Sequence, residues 1–559
     1  MEEISINDKG YDVIVVGAGL AGLRAAVTCA KENKEVLLIT SSVLCSGSSF
    51  YPLMDTLHCL VTAGNRDKEA FYQDIEACSH SMHDEQMNRY YIDHIGEAVS
   101  RMDEIGITCQ RLPEQKIACF GHTYRDLYYW KDWNALRKDV SQVISSYPDL
   151  SVMEHTSLLQ LLTDNCQITG VVVLNAGRPR AIPAKAVILA GGGLGGLYRH
   201  NINTADITGS THFLAAKAGA GLINLEFNQF IPGFLSHPYK TVFREGTLKY
   251  CTGLLDADGN DVLGNYFQTP EKYRHCLEIR ETHGPFTSSL DSKYFDFALM
   301  DEKDGCTIRY SPEIACDSRQ HVQNYMNWLQ NEHCVDLTKD RIVIAPFYHA
   351  ANGGIAVNHQ CETQVSGLFA CGEAAGGIHG ANRLGGMATG SCLVFGHLAA
   401  RSACKHAEQI YAAALSPDQI EAAINSTYTC CPPHTGTAQP PSNLSPAEIT
   451  AQIRQLMWEH ANVTRNESDL SRTIAKIDSM AATLNHHHDF SHIKHDFITA
   501  VQFTDLSRAM LLAMQNRRES RGSHYREDYP ELDQSGSGYR ITIKIINGQY
   551  QILKDCSST

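Results

Sequence analysis

The feature that most constrains the fold is a glycine-rich turn close to the N-terminus. An apolar, β-branched run from Tyr11 to Val16 leads into the turn GAGLAG (17–22) and then into the helical pattern LRAAVTCAKEN. A second short apolar run, EVLLI (35–39), follows. This order of strand, turn, helix and strand predicts a βαβ unit of a doubly wound α/β fold with a parallel sheet.

The three glycines of this turn have separate roles in binding a dinucleotide. Gly17 allows the bend, Gly19 lets the backbone approach a pyrophosphate, and Gly22 lets the helix pack on the strand. The phosphates then rest on the helix N-terminus, where free N–H groups favour an anion. The acid that binds the ribose of NAD is absent, because the second strand ends in Thr40 and Ser41, which offer only hydroxyls. The sequence therefore argues against NAD.

The rest of the chain predicts one sheet, an insertion and a helical end. Two apolar segments that precede glycines, 186–190 and 367–371, are expected to join the first strand in the same sheet. Residues 234–345 are polar and aromatic without regular periodicity, which favours an inserted capping domain. Helical patterns follow residue 405, and the final segment alternates around Asn547-Gly548, which predicts a β-hairpin.

These signals divide the chain into three predicted domains. The dinucleotide-binding domain is formed by residues 1–233 and 346–405, the α+β capping domain by 234–345, and the C-terminal helical domain by 406–559. The length of 559 residues is ample for this architecture.

The composition indicates which partners the protein can bind and in which compartment it is found. The net charge of −15 gives no general attraction to nucleic acid or to anionic lipid. The longest apolar run, 186–197, is interrupted by glycines and is too short for a membrane span. The 19 cysteines show no metal-ligand spacing and the N-terminus has no signal-peptide pattern, so we expect reduced thiols and a cytoplasmic protein.

Several motifs in the same chain order resemble one family. They are GSSFY (47–51), LEFNQF (225–230), GLFACGE (367–373) with HGANRLGG (379–386), and ESRGSH (519–524). The chain is identified from them as a member of the succinate dehydrogenase and fumarate reductase flavoprotein family, closest in its motifs to L-aspartate oxidase. This resemblance implies an FAD cofactor and hydride transfer between flavin N5 and a small organic acid.

The resemblance and the glycine turn together give a set of expected cofactor contacts. Ser48 stands where succinate dehydrogenase has the histidine that bonds the flavin, which implies that FAD is held without a covalent bond. The residues expected to bind FAD are Gly17, Gly19, Gly22, Thr40, Ser41, Ser48, Ser49, Gly192, Gly372, Glu373 and Ser391.

The family's substrate-binding groups are only half retained. His349 matches the histidine that hydrogen-bonds a substrate carboxylate, and Arg383 matches the arginine whose planar fork pairs with one. Ile231 replaces the second histidine, and Ser292 or Lys293 stands where the catalytic arginine is expected. The segment LKYC (248–251) replaces the family's Arg-Gly-Glu-Gly. The substrate is therefore expected to differ from a plain four-carbon dicarboxylate.

The proton carrier is left open among four cap residues, each of which could equally be an ordinary surface or packing group: Arg244, Lys249, Tyr250 and Lys293. We expect catalysis to involve Arg383, His349, Arg244 and Lys293. The alternative function is that of a flavin-carrying, electron-transfer subunit of a larger redox complex. The sequence does not decide the substrate, the direction of the reaction, the electron donor or acceptor, or the oligomeric state.

A histidine cluster near residue 490 raises the question of a metal site. It consists of His486, His487, His488, His492 and His495, and His488 and His492 would share a helix face. No acid or thiol stands at clear ligand spacing, so a solvated loop is favoured and no metal is expected.

Overall fold

The computed structural model describes residues 4–556 except 8, 131, 412–413, 434–442, 487–493 and 534–537. Its strands, in chain order, are β1 Ser5–Ile6, β2 Tyr11–Val16, β3 Val36–Ile39, β4 Leu57–Val61, β5 Gln110–Arg111, β6 Lys116–Ile117, β7 Tyr124–Trp130, β8 Leu150–Met153, β9 Thr156–Asp164, β10 Gln167–Asn175, β11 Arg178–Leu189, β12 Leu222–Ile223, β13 Asn228–Phe234, β14 Cys251–Leu255, β15 Cys306–Tyr310, β16 Ile342–Ala351, β17 Gly354–Ile355, β18 Leu368–Ala370, β19 Thr464–Arg465, β20 Tyr525–Arg526, β21 Tyr539–Ile546 and β22 Gln549–Cys556.

The helices, in chain order, are α1 Leu20–Lys31, α2 Lys68–Ser79, α3 Glu85–Ser100, α4 Trp133–Ile144, α5 Ser210–Lys217, α6 Pro270–Arg280, α7 Lys293–Asp301, α8 Gln320–His333, α9 Met387–Ala407, α10 Pro417–Thr427, α11 Pro446–His460, α12 Glu467–His486 and α13 His495–Asn516.

The main sheet has the order β8–β3–β2–β11–β10–β9, with β1 and β18 also paired to β11. Strands β8, β3, β2, β11 and β18 run parallel, whereas β9 and β10 form an antiparallel extension. β3 is buried throughout, as a strand covered on both faces must be, which accounts for its continuous apolar sequence. The prediction that 11–16, 186–190 and 367–371 contribute to one sheet is confirmed.

Helices α1 and α9 cover one face of this sheet and approach each other closely. A Cβ at Gly396 would lie 2.7 Å from the carbonyl oxygen of Ala21, so the contact between the two helices depends on that glycine. All but the last residue of α1 are buried. The packing fixes the N-terminus of α1 against the end of β2, where the glycine turn lies.

A second, antiparallel sheet of order β13–β16–β15–β14 carries the segment predicted as a cap. β13 and β16 pair along Asn228–Phe234 and Ile342–Ala351, so this strand pair crosses the predicted boundaries at residues 233 and 346. The division into three domains stays a prediction.

The C-terminal region is helical and ends in the predicted hairpin. α13 packs against α11 and α12, and its central residues are buried. β21 and β22 are joined by Asn547-Gly548, both with positive φ (53° and 74°), as a two-residue hairpin turn requires. β21 also pairs with β12, which ties the hairpin to the rest of the molecule. The α/β fold with a helical C-terminal region is confirmed.

Within the described part of the chain, no helix is both long and apolar enough to cross a membrane. The cysteines that the structure describes are free thiols. The described residues contain no group of three or more histidine, cysteine, aspartate or glutamate side chains that could hold a metal ion. His487, His488 and His492 of the histidine cluster lie outside them.

Candidate functional site

A cavity of about 400 Å³ opens where β2 turns into α1, and Gly17 and Gly19 line it. Gly17 has φ +109°, and a Cβ there would lie 2.3 Å from the carbonyl oxygen of Ala190. A Cβ at Gly22 would lie 1.8 Å from the carbonyl oxygen of Gly17. The packing of the chain itself therefore requires glycine at positions 17 and 22.

Gly19 differs, because the protein alone does not explain it. Its φ is −75°, which any residue can adopt, and the nearest atom to a Cβ would be the carbonyl oxygen of Ser46 at an ordinary 3.6 Å. Gly19 caps α1 without a side-chain hydrogen bond, so the first N–H groups of the helix face the turn. The space beside Gly19 is suited to a phosphate group held on the helix N-terminus.

The structure brings together most of the other residues predicted to bind the cofactor. Thr40, Ser41, Ser48, Ser49, Gly192 and Glu373 line the same cavity. Three predicted residues are not among the described residues lining it, namely Gly22, Gly372 and Ser391. Gly372 has φ +66°, and a Cβ there would lie 2.7 Å from that of Ala21, so its role in the structure is packing. Ser391 lines a neighbouring cavity instead.

Sequence reasoning missed several residues that line this cavity. They are Thr156, Ser157, Asp206 and Thr211, together with His495, Ile498, Thr499 and Gln502 from the N-terminal part of α13. Thr211 Oγ1 is buried and has no partner within the described chain. An unpaired hydroxyl beside a cradle of glycines fits a large polar ligand such as a dinucleotide.

A second cavity, of about 250 Å³, adjoins the first. Ser48, Ser49, Glu373 and Cys392 line both cavities and so mark the boundary between them. The second cavity also contains His349, Arg383 and Arg244, three of the four residues expected to take part in catalysis.

Arg383 is the buried cation of the second cavity, with 8% of its surface exposed. Its Nε donates to Gln229 Oε1 at 3.1 Å, and its Nη2 donates to His349 Nε2 at 3.4 Å. No hydrogen bond is made by Nη1 within the described chain, and no carboxylate forms an ion pair with Arg383 there. Burial lowers the pKa of the guanidinium and Glu373 opposes that shift, but an arginine stays charged at any ordinary pH.

His349 is arranged to donate a hydrogen bond. Burial, with a smaller effect from Arg383, lowers its pKa to about 3, so the ring is neutral. Because Nε2 accepts from Arg383, the single proton of the ring is assigned to Nδ1. Nδ1 is buried and has no partner within the described chain. The neutral His349 and the charged Arg383 therefore lie side by side on the wall of the second cavity.

Arg244 lies in the same cavity but is already paired. It forms an ion pair with Asp55, in which Nε donates to Oδ1 at 3.0 Å, and the two residues are 189 positions apart in the sequence. Burial by itself would lower the pKa of Arg244, but Asp55 and then Glu245 hold that pKa above its usual value. Arg244 is therefore a protonated group whose charge Asp55 balances.

The other proton-carrier candidates lie elsewhere. Lys293, Lys249 and Tyr250 are not among the described residues lining the second cavity. Lys293 begins α7, and its Nζ lies 5.6 Å from the centre of the Tyr294 ring. Ser292, the alternative at this position, is buried and its hydroxyl hydrogen-bonds His283 Nε2 at 2.9 Å. Lys249 is exposed.

The remaining walls are mostly apolar, with one carboxylate. Met54, Leu57, Ile202, Ile231, Val242 and Phe243 supply apolar surface, so Ile231 lies where the sequence predicted an apolar replacement. Glu245, His58 and Cys119 also line the cavity and were missed. The tripeptide Arg244-Glu245-Gly246 is a signal that could have found Glu245, because it resembles a shortened Arg-Gly-Glu-Gly better than residues 248–251 do.

Comparisons with known proteins agree with this geometry. The family model described as FAD binding domain matches residues 12–389, and the one described as fumarate reductase flavoprotein C-term matches 450–544. An uncharacterised FAD-dependent oxidoreductase of Methanocaldococcus jannaschii is 24% identical, over 95% of this chain and 96% of its own. The L-aspartate oxidase of Vibrio cholerae is 25% identical, over 94% and 97%. The solved structure of Mycobacterium smegmatis Sdh1 in complex with UQ1 has a TM-score of 0.82 at 22% identity, covering 100% of this chain and 95% of the other.

Proposed function

The chain belongs to the family of FAD-binding flavoproteins that includes the fumarate reductase flavoproteins, and from that premise we propose that its substrate is a small organic acid with a single carboxylate. The protein is an FAD-dependent oxidoreductase, and FAD is its cofactor. The observation that carries the proposal is the charge of the second cavity, where Arg383 forms no ion pair with any described residue, Arg244 is paired with Asp55, and Ile231 is apolar.

The cofactor residues named above fit FAD. The N-terminus of α1 and the space beside Gly19 suit the pyrophosphate, and Thr40 and Ser41 supply hydroxyls on the same cavity wall. Bound FAD would supply a two-electron acceptor or donor for a hydride. Because Ser48 and Ser49 line both cavities, the reacting part of the cofactor is proposed to lie at that boundary.

The protein's own groups would hold the substrate and carry the proton. The free Nη1 of Arg383 and the Nδ1–H of His349 would donate to the substrate carboxylate and so fix its orientation. The reaction exchanges two electrons and two protons, one proton travelling with the hydride and the other through a protein group. Among the four candidates, only Arg244 is supported by its position as this proton carrier, because it lines the cavity and the other three do not.

A matched pair of substrates tests the proposal. Crotonate and fumarate differ only by a methyl group in place of the second carboxylate. Burial of that carboxylate against Ile231 without a donor costs about 1–3 kcal/mol or more, so reduced enzyme should be reoxidised by crotonate at least roughly tenfold more efficiently than by fumarate. The measurement is anaerobic reoxidation of the reduced flavin, followed by its absorbance.

The controls separate this proposal from the alternative of an electron-transfer subunit. Faster reoxidation by fumarate would show that a second carboxylate is bound and would contradict the single-carboxylate substrate. If no organic acid exchanges electrons with the flavin in either direction, the alternative function is favoured.

We also expect FAD to be held without a covalent bond. A serine hydroxyl cannot form the bond that a histidine forms to the flavin, and Ser48 Oγ already accepts a hydrogen bond from Asn203 Nδ2 at 2.8 Å. Precipitation with acid should release all the flavin into the supernatant, as measured by its absorbance. A washed pellet that stays yellow would contradict this prediction.

A further inference from the structure

We propose that the substrate carries a cationic group in addition to its carboxylate, and that Glu245 is the residue that recognises it. The inference rests on the proposed function and adds to it the substrate class, a zwitterionic acid. Arg383 and Glu245, which have no ion-pair partner in the described chain, line the same cavity of about 250 Å³. They have opposite signs.

The first step is the charge of the wall that contains Glu245. Glu245 and Arg244 both line the cavity, and Asp55, which is not among the lining residues, adds a second carboxylate through its ion pair with Arg244. Arg244 directs Nε and Nη2 to Asp55, so the ion pair that it forms is with Asp55 and not with Glu245. One negative charge is left over, and it lies on Glu245.

The histidines of this wall do not cancel that charge. Burial, with a smaller effect from Arg244, lowers the pKa of His58 to about 4, so its ring is neutral. His321 lies near Gly246, and burial also lowers its pKa below the usual value. Arg319 donates to the carbonyl oxygen of Gly246, but its guanidinium is paired with Asp317.

The second step is the position of Glu245 relative to Arg383. The backbone N–H of Gly385, two residues after Arg383, donates to the carbonyl oxygen of Cys119 at 3.1 Å. Cys119 Sγ in turn lies 3.9 Å from Glu245 Oε1, a weak contact that is the only hydrogen bond to this carboxylate in the described chain. Cys119 thus contacts both Glu245 and the loop that carries Arg383, and Glu245, Cys119 and Arg383 line the same cavity.

The third step is the acid nearest to Arg383. Glu373 also lines the cavity and faces Arg383, but its Oε1 accepts from the backbone N–H of Ala351 at 2.9 Å. Burial raises the pKa of Glu373, which favours the neutral acid. Glu373 forms no ion pair with Arg383 in the described chain, so Arg383 is available to a ligand, and a ligand with one carboxylate and one ammonium group would pair with both Arg383 and Glu245.

Such a ligand would also explain why a dicarboxylate is unsuitable. A second substrate carboxylate beside Glu245 would be repelled by the like charge of this residue in a partly buried site. An ammonium group would instead form a charge-assisted hydrogen bond with Glu245. Glu245 is in this view a specificity-determining residue. It rejects one class of substrate by repulsion and accepts another by attraction.

The test uses three families of ligand that differ at one terminal group. ω-Amino acids of three to six carbons are compared with two counterparts: the fatty acids, in which methyl replaces the ammonium, and the dicarboxylates, in which a carboxylate replaces it. L-α-Amino acids are included because their ammonium and carboxylate groups are close together. Each is titrated into the FAD-loaded enzyme, and the dissociation constant is read from the change in the flavin absorbance. At the best spacing, the zwitterion should bind at least roughly tenfold more tightly than either counterpart.

Variants at position 245 assign the effect to this carboxylate. Glu245→Gln should reduce the preference for the zwitterion over the fatty acid to about threefold or less, Glu245→Asp should retain most of it, and Glu245→Lys should shift the preference to the dicarboxylate. Glu278→Gln, which removes an exposed acid on α6 outside the cavity, is the matched control and should bind like the wild type. Flavin content shows that each variant is folded.

The outcomes separate this inference from the proposed function. If fatty acids and zwitterions bind equally well to the wild-type enzyme, or if Glu245→Gln keeps the full preference, the role of Glu245 is wrong and the single-carboxylate substrate stands. If no carboxylate of any family perturbs the flavin, the proposed function fails, and the inference fails with it.

Discussion

Gly19→Val should give a folded protein that no longer retains FAD. The backbone at Gly19 has φ −75°, and the only atom near a Cβ is the carbonyl oxygen of Ser46 at 3.6 Å, so the protein can accommodate the side chain. The isopropyl group would instead occupy the cavity beside the N-terminus of α1, where the pyrophosphate must approach the backbone. We expect flavin content after gel filtration to fall to less than about one-tenth of the wild-type value.

Thermal unfolding gives this prediction a second readout. A ligand that binds only the folded state raises the unfolding temperature, so added FAD should stabilise wild-type apoprotein and leave Gly19→Val unchanged. Gly96→Val is the control, because a Cβ at Gly96 in α3 also has open space, with Val61 Cγ1 the nearest atom at 3.9 Å. Full flavin occupancy in Gly19→Val would mean that the phosphates do not bind at this turn.

Arg383→Lys should retain FAD and lose most of its activity. Lysine keeps the positive charge but loses the planar fork that binds Gln229 and His349 and leaves Nη1 for a ligand. A charge-assisted bidentate contact is worth on the order of 2–4 kcal/mol, so kcat/KM should fall by roughly 30-fold or more at 1.4 kcal/mol per factor of ten.

The measurement for Arg383→Lys is steady-state kinetics with the best substrate from the organic-acid panel, normalised to flavin content. Arg401→Lys is the matched control, because Arg401 is exposed on α9 and pairs with Glu32 far from either cavity. Unchanged kinetics in Arg383→Lys, with FAD still bound, would remove Arg383 from the substrate site.

Strands β2, β3 and β18 and the end of β11 were predictable because their signals are local. A β-branched run before a glycine turn can form few structures other than a strand followed by a helix, and Asn547-Gly548 suits a two-residue hairpin turn. The motif around Arg383 likewise identified the cation of the second cavity from a short segment. In each case the residues that specify the structure lie within a few positions of one another.

The contacts around the second cavity could not be predicted from neighbouring residues in the sequence. Nothing in the sequence near Asp55 indicates that it pairs with Arg244, since 189 residues separate them and the cap brings them together. Lys293 looked equivalent to Arg244 as a proton carrier, but the start of α7 lies away from the cavity. The contribution of His495 and Gln502 to the first cavity similarly depends on how α13 packs against α5, α11 and α12.

The sequence by itself therefore determined the α/β class, the glycine turn, four strands of the main sheet (β2, β3, β11 and β18) and the family, and through the family the FAD cofactor. Only the tertiary structure decided which charges line the second cavity: among the described residues Arg383 and Glu245 have no ion-pair partner, whereas Asp55 balances Arg244. The physical reason is that turns and strands follow from steric and hydrogen-bonding preferences of neighbouring residues, whereas the net charge of a cavity depends on contacts among segments that are distant in the chain.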